Sequence, residues 1–235
     1  MRILALDSSA TVASVALCED GRLLSEYTLN NKNTHSETLL PMVEDVLSHF
    51  GLGIADVDAF AASAGPGSFT GVRIGAATLK GLAFGSDKPC IEVSTLEAIA
   101  YNAVCFEGLI CPVMNARRSQ VYTALFRSDG EKLTRLMPDS AISITELDEA
   151  LSSYGERVML CGDGYEITAE AFTKTAIKPT PERMRHQSAF SVAAVALEKY
   201  ARGEYCTDVQ FKVDYLRPSQ AERELMSKNK SDKEV

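Results

Sequence analysis

The residues of this chain that could do chemistry fall in three places. The first is the run GPGSFTGVRIG from Gly65 to Gly75, a glycine-rich turn between an apolar segment and an apolar helical pattern. Such a turn lets a backbone approach a phosphate, another helix or another subunit. The second is Asp7 with Ser8 and Ser9, an acid ending an apolar run and followed by a polar turn. An acid so placed can hold a metal ion where neighbouring turns offer N–H groups to phosphates. It can equally bond the turn above it, which is a purely structural use. The third is the set of three histidines, His35, His49 and His186.

Spacing removes the simplest assignments. A P-loop needs Lys-Ser or Lys-Thr after its last glycine, and Gly71 is followed by Val72-Arg73. A dinucleotide fingerprint needs G-x-G-x-x-G, and Thr70 stands at the third glycine position. Two uses of the run remain. Ser68 can cap a helix whose first N–H groups face a ligand, or Gly71 and Gly75, on one face with Thr78 and Leu82, can make room for a neighbouring helix. His35 and His49 are 14 residues apart, too far for a metal pair on adjacent helical turns. Neither Ser8 nor Ser68 lies in a G-x-S-x-G nucleophile elbow.

The elements that must position these residues repeat. Ile3 to Leu6 reads as a buried strand ending at Asp7, followed by strands Val12 to Cys18 and Leu23 to Leu29 about an Asp20-Gly21 turn. After Gly108 the pattern returns. Ile110 to Met114 ends at Asn115, the polar turn Ala116 to Gln120 follows, and strands Val121 to Phe126 and Lys132 to Met137 flank Asp129-Gly130. The offset is 115 − 7 = 108 residues. This predicts two similar α/β lobes, residues 1–104 and 105–226, with a charged tail 227–235 expected to be disordered.

Between these strands lie helices. Thr34 and Glu37 suit a capping box, and Leu39, Leu40, Val43, Val46, Leu47 and Phe50 then recur at helical spacing, with Pro41 expected to kink the helix. Val57 to Ala64 reads as a buried strand leading into a helix over Thr70 to Phe84. Ser94 with Glu97, Thr145 and Ser188 mark three further helix starts.

Bulk composition narrows the classes. A chain of 235 residues, 46% hydrophobic, can bury a real core, and a net charge of −8 does not gather nucleic acid by its own field. Cys18, Cys90, Cys105, Cys111, Cys161 and Cys206 form no C-x-x-C pair, so free thiols in a reducing cytoplasm are expected rather than a disulfide or zinc framework. No apolar run approaches membrane-spanning length.

A duplicated unit of strand, acid, polar turn and strand is the arrangement of the actin, hexokinase and Hsp70 superfamily. The expected fold class is therefore α/β, an actin-like, ribonuclease H-like fold in two lobes with mixed sheets flanked by helices. Here Asn115 replaces the second acid, and neither turn contains glycine. The scaffold is present and the ATP chemistry weakened, leaving Asp7, Ser8 and Ser9 as the cofactor-binding candidates.

At this level of detail the chain resembles the TsaB (YeaZ) family. The matching segments are ILALDSS with SVAL, HSETLLP, AGPGSFTGVRIGAATLKGLAF, VSTLEAIA, NARRSQVYTALF and YLRPSQAE, in order from Ile3 to Glu222. The resemblance implies a non-catalytic scaffold for threonylcarbamoylation of adenosine 37 in tRNAs reading codons that begin with A. It implies binding to the related transferase TsaD, the ATPase TsaE joining the complex, TsaC supplying the adenylate, and a homodimer when TsaD is absent. ATP and a metal ion would belong to the partner subunits, tRNA would be reached only through the complex, and this chain would carry no cofactor of its own. TsaD-like proteins hold metal with an H-x-x-x-H pair, whereas here His35 is followed four residues later by Leu39. Related subunits pair through two helices, which places His35, Leu39, Leu40, Val43, Val46, Leu47, Phe50, Gly71, Gly75, Thr78 and Leu82 at the expected interface. The alternatives are a zinc-dependent glycoprotease-like peptidase and a stand-alone ATPase or sugar kinase of the same superfamily.

Overall fold

Strand β1 (Arg2–Asp7) is apolar at every position from Ile3 to Leu6 because both its faces are covered. Leu4 and Leu6 point into one core, and Ile3 and Ala5 into another behind the sheet. Strands β2 (Ala13–Glu19) and β3 (Arg22–Leu29) complete the antiparallel meander, and β4 (Ala59–Gly65) and β5 (Cys90–Ser94) add parallel to β1 on its other side. The order of the first sheet is β3-β2-β1-β4-β5. The structure is a computed structural model and describes residues 1–31 and 34–217; the tail 227–235 lies outside them.

The second sheet is the first repeated. It contains β6 (Gly108–Asn115), β7 (Gln120–Ser128), β8 (Leu133–Ser143), β9 (Val158–Cys161) and β10 (Ile177–Lys178), in the order β8-β7-β6-β9-β10. The actin-like arrangement of two similar mixed sheets expected from the repeat is the fold observed. Strand β8 runs six residues beyond the expected end at Met137, straight through Pro138. It lies at the sheet edge, where a missing N–H faces no partner strand, and its pairing with β7 shifts register beside the proline.

On one face of the first sheet lie α1 (His35–Ser48) and α2 (Phe69–Ala83); on the corresponding face of the second lie α4 (Ile144–Ser152) and α5 (Tyr165–Ala171). The other two helices change sides. Helix α3 (Thr95–Tyr101) follows β5 but packs Leu96, Ile99 and Ala100 on Ile110, Met114, Ala124 and Phe126 of the second sheet. Helix α6 (Ala189–Ala201) follows the second half but packs Ala189, Val192, Ala193 and Ala196 on Ile3, Ala5, Ala16 and Ile91 of the first. Its alanines allow close approach to the sheet. The chain then stays with the first sheet: Cys206 bridges to Cys90 in both directions and Phe211 enters the first core. This corrects the lobe boundary. Residues 189–214 do not belong to a C-terminal lobe 105–226; they complete the N-terminal one.

Three caps also differ from expectation. Thr34 precedes α1 without a side-chain cap bond. Ser94 accepts the Glu97 N–H, but the Glu97 carboxylate pairs with Arg135 instead of reaching back. Helix α4 is capped by Ser143 and Glu146 in a reciprocal box, two residues before Thr145.

Candidate functional site

The carboxyl ends of the strands β1, β4, β6 and β9 open into a cleft of about 540 Å³ between the sheets. Ligands of open α/β sheets bind in crevices of this kind. The first lobe lines it with Ser9 to Thr11 and Pro66 to Thr70, the second with Asn115 to Arg117, Tyr122 and Asp163. The segment Asp214 to Arg217 closes one side. Its Asp214 N–H bonds the Ala64 carbonyl at 2.7 Å, while the Arg217 guanidinium reaches the Ala116 carbonyl at 3.3 Å and the Gln120 side chain. That segment thereby joins the two lobes.

Asp7, at the end of β1, is 1% exposed, with its oxygens engaged inside its own lobe. One accepts the Ser63 hydroxyl at 2.5 Å; the other accepts the Ser9 N–H at 2.8 Å and the Ser9 hydroxyl at 2.7 Å. Burial raises its pKa, and those hydrogen bonds oppose the rise. The Ser8 hydroxyl donates to the Gly71 carbonyl at 2.9 Å. His35 Nε2 donates to the Ala10 carbonyl at 2.7 Å, so this histidine braces the first turn from the start of α1. Among the described residues no group of three or more His, Cys, Asp or Glu side chains is placed to hold a metal ion.

The glycine run belongs to the same framework. A Cβ on Gly71 would lie 2.1 Å from the Ser8 carbonyl oxygen, one on Gly67 2.5 Å from that of Ser9, and one on Gly75 2.6 Å from the Ser8 hydroxyl. The room these glycines make is therefore filled by this chain's own Ser8-Ser9 turn, not by a neighbouring helix. Ser68 caps α2 as expected, accepting the Gly71 N–H at 3.3 Å, and its own N–H is bound by the Ser9 carbonyl at 2.6 Å.

The expected interface set divides accordingly. Leu39, Val43, Val46 and Leu47 are core residues, packed with Leu4, Leu6, Phe60 and Leu79. Gly71 and Gly75 are buried against the first turn, and His35 faces inward. Leu40 (54% exposed) and Phe50 (44%) do present themselves to solvent, with Thr78 and Leu82 half-buried. A helix on a sheet buries its apolar stripe in its own core first, which is the correction to reading the whole stripe as interface.

Sequence reasoning did not find the second lobe's acid. It is Asp163, in the loop Gly162-Asp163-Gly164 after β9. Asp163 opens on the cleft; enclosure by the two lobes raises its pKa, while the backbone N–H groups of Asn115 and of Asp163 itself lower it, as does His186. The signal lay in a second recurrence, G-x-G at 65–67 and again at 162–164. Gly65 (φ +118°) and Gly162 (φ +102°) both adopt backbones closed to side chains, and a Cβ on either would lie 2.2 Å from a carbonyl oxygen, of Asp214 and Val113 respectively. Also unanticipated was the stack of Phe69 on Tyr215, with centroids 4.5 Å apart, Arg73 3.8 Å over the Phe69 ring, and its Nε donating to the Tyr215 hydroxyl at 2.8 Å.

The second turn has an unusual backbone. Arg117, Arg118 and Ser119 have φ of 64°, 54° and 56°, three successive left-handed residues without a glycine, each costing about 1–3 kcal/mol. Asn115 Oδ1 accepts the Arg117 N–H at 2.8 Å, the same i to i+2 bond that Asp7 makes to Ser9 one repeat earlier. No helix among the described residues is long and apolar enough to cross a membrane.

Comparison with known proteins gives the fold and cleft a context. A family model described as TsaD, tRNA N6-adenosine threonylcarbamoyltransferase, matches residues 22–229. The chain is 30% identical over 231 residues to the tRNA threonylcarbamoyladenosine biosynthesis protein TsaB of Escherichia coli K12, covering 97% of this chain and 100% of that one. It is 36% identical over 162 residues to the TsaB of Bacillus subtilis 168, covering 69% of this chain and 71% of the relative. Among solved structures, YeaZ from Pseudomonas aeruginosa superposes with a TM-score of 0.79 at 29% identity, over 92% of this chain and 99% of that one.

Proposed function

The chain belongs to the TsaB (YeaZ) family, and from that premise we propose that it is a subunit for tRNA threonylcarbamoyladenosine biosynthesis that supports a TsaD-type transferase instead of performing the transfer. The observation that carries the supporting role is the engagement of Asp7, Ser8 and Ser9 within the first lobe. The residues that would serve a metal-bound nucleotide here instead fasten a turn to β4 and α2. In this reading ATP and a metal ion act in partner subunits. The partners are the transferase itself, a TsaE-type ATPase and, functionally, a TsaC-type enzyme that makes the adenylate, with self-association in the transferase's absence. Leu40 of α1, Phe50 just beyond its end, and Thr78 and Leu82 of α2 are left to meet the transferase.

The test is to mix the purified protein with its cognate TsaD-type transferase and follow both by sizing chromatography. Co-elution is expected. Separate elution under every nucleotide condition would overturn the proposal, as would normal tRNA threonylcarbamoyladenosine in cells depleted of this protein.

A further inference from the structure

We infer that the turn Arg117-Arg118-Ser119 is a preformed phosphate-contact site through which this chain touches the backbone of the tRNA; the identity of the RNA rests on the function proposed above. Three observations carry the site. The two guanidiniums are adjacent and exposed, and among the described residues neither makes an ion pair or side-chain hydrogen bond. Five of the eleven other arginines of this acidic chain are held in ion pairs: Arg2 with Glu19, Arg127 with Glu156, Arg135 with Glu97 and Asp139, Arg185 with Glu166, and Arg202 with Glu198 and Glu204.

The turn is also held in its left-handed form entirely by groups other than those guanidiniums. Asn115 Oδ1 fixes the Arg117 N–H, Ala116 N–H bonds the Gln120 carbonyl at 3.0 Å, Gln120 N–H bonds the Arg117 carbonyl at 3.2 Å, and Ile144 N–H bonds the Ser119 carbonyl at 3.1 Å. Arg217, from the segment 214–217, bonds the Ala116 carbonyl and the Gln120 side chain. A strained backbone persists only where its surroundings over-determine it, and such strain gathers at ligand clamps. What this one fixes is the direction of two free positive charges.

Finally, Arg117 lines the cleft together with Tyr122, Phe69 and Tyr215, the last two stacked on each other with Arg73 over the Phe69 ring. Guanidiniums beside aromatic rings are the chemistry of single-stranded RNA contact, the rings meeting bases and the cations meeting phosphates. An acidic peptide would use the charges but leave the rings idle, so RNA is the occupant argued here. Asp163 and Asp214 line the same cleft and pair with neither guanidinium. The overall negative charge then keeps unspecific RNA away while this one point attracts it.

The experiment uses the full chain in its co-purified complex with the transferase and reads binding of fluorescent tRNA by anisotropy over a salt series. The double substitution Arg117→Gln/Arg118→Gln is expected to weaken binding about 10-fold at low salt and to flatten the salt slope by about two, one per lost phosphate contact. Arg118→Gly separates binding from folding. Glycine relieves the left-handed strain, so its melting temperature should rise while tRNA affinity falls. Unchanged affinity and salt slope in an intact variant complex would overturn the inference and leave the proposed function standing. Loss of transferase co-elution, with tRNA affinity per assembled complex unchanged, would overturn it in favour of a protein contact. A wild-type chain that forms no complex would instead remove the functional reading on which the RNA rests.

Discussion

The two turns that face each other across the cleft occupy the same place in the two halves of the repeat. Each follows a strand at the centre of its sheet, and each begins with a side-chain oxygen accepting the N–H two residues on, Asp7 to Ser9 and Asn115 to Arg117. Beyond that bond they part. The first turn is buried, and every polar group of Asp7, Ser8 and Ser9 described above is bound within the first lobe. The second is exposed, held from outside, and carries two guanidiniums that pair with no group among the described residues. A duplicated frame can thus divide labour, one copy becoming structure and the other display.

That contrast predicts unequal responses to mutation. The largest belongs to Gly71→Val. Its Cβ would fall 2.1 Å from the Ser8 carbonyl, so either α2 or the first turn must move, and equilibrium denaturation should show a loss of about 3 kcal/mol or more. Asp7→Ala should follow at about 2–3 kcal/mol, since it strands the Ser63 hydroxyl and the Ser9 N–H in the interior. Asp7→Asn should cost far less, because Asn115 already makes the corresponding bond in the second half. If Asp7→Asn proved as damaging as Asp7→Ala, the charge itself would be the essential part and the turn would not be merely structural.

Acid titration separates the two halves further. Each contains a buried acid, yet burial raises the pKa of Asp7, whereas in Asp148 burial is outweighed by the N–H groups of Thr173, Lys174 and Thr175 and the Thr175 hydroxyl, which bring it to about 2. For Asp148 the folded pKa lies below the unfolded one, so its stabilisation of about 2 kcal/mol is complete above pH 4 and is lost as pH falls through about 2. For Asp7 the sign reverses: the fold favours its protonated form, and its contribution declines as pH rises from 3.8 through its raised pKa. A stability profile across acid pH, repeated on Asp148→Asn and Asp7→Asn, should lose the two slopes separately. The smallest effect is at the second turn, where Arg118→Gly should stabilise the chain by about 1 kcal/mol, opposite in sign to any change at Gly71.

Much of this frame was legible in the sequence, because β strands buried on both faces read as apolar runs and the 108-residue offset repeats them. The family, the two-sheet fold and the capping role of Ser68 followed from such local patterns. What was not legible depended on which surface met which. The stripe Leu39, Val43, Val46, Leu47 has the same spacing whether its own sheet or a partner covers it. The Gly67, Gly71, Gly75 face is equally ambiguous until Ser8 and Ser9 are seen against it. Asp163 is not legible from the strand repeat, because it lies in the second G-x-G turn, a recurrence separate from the strands.

The crossing of α3 and α6 has a consequence for how the chain is built. Each half leaves one face of its own sheet bare and receives the covering layer from the other, so neither contains a complete core. Cleavage in the connecting stretch 102–107 would not release two miniature proteins. It would give two fragments that are each insoluble alone and that find one another when made together, every fragment carrying the part its counterpart lacks.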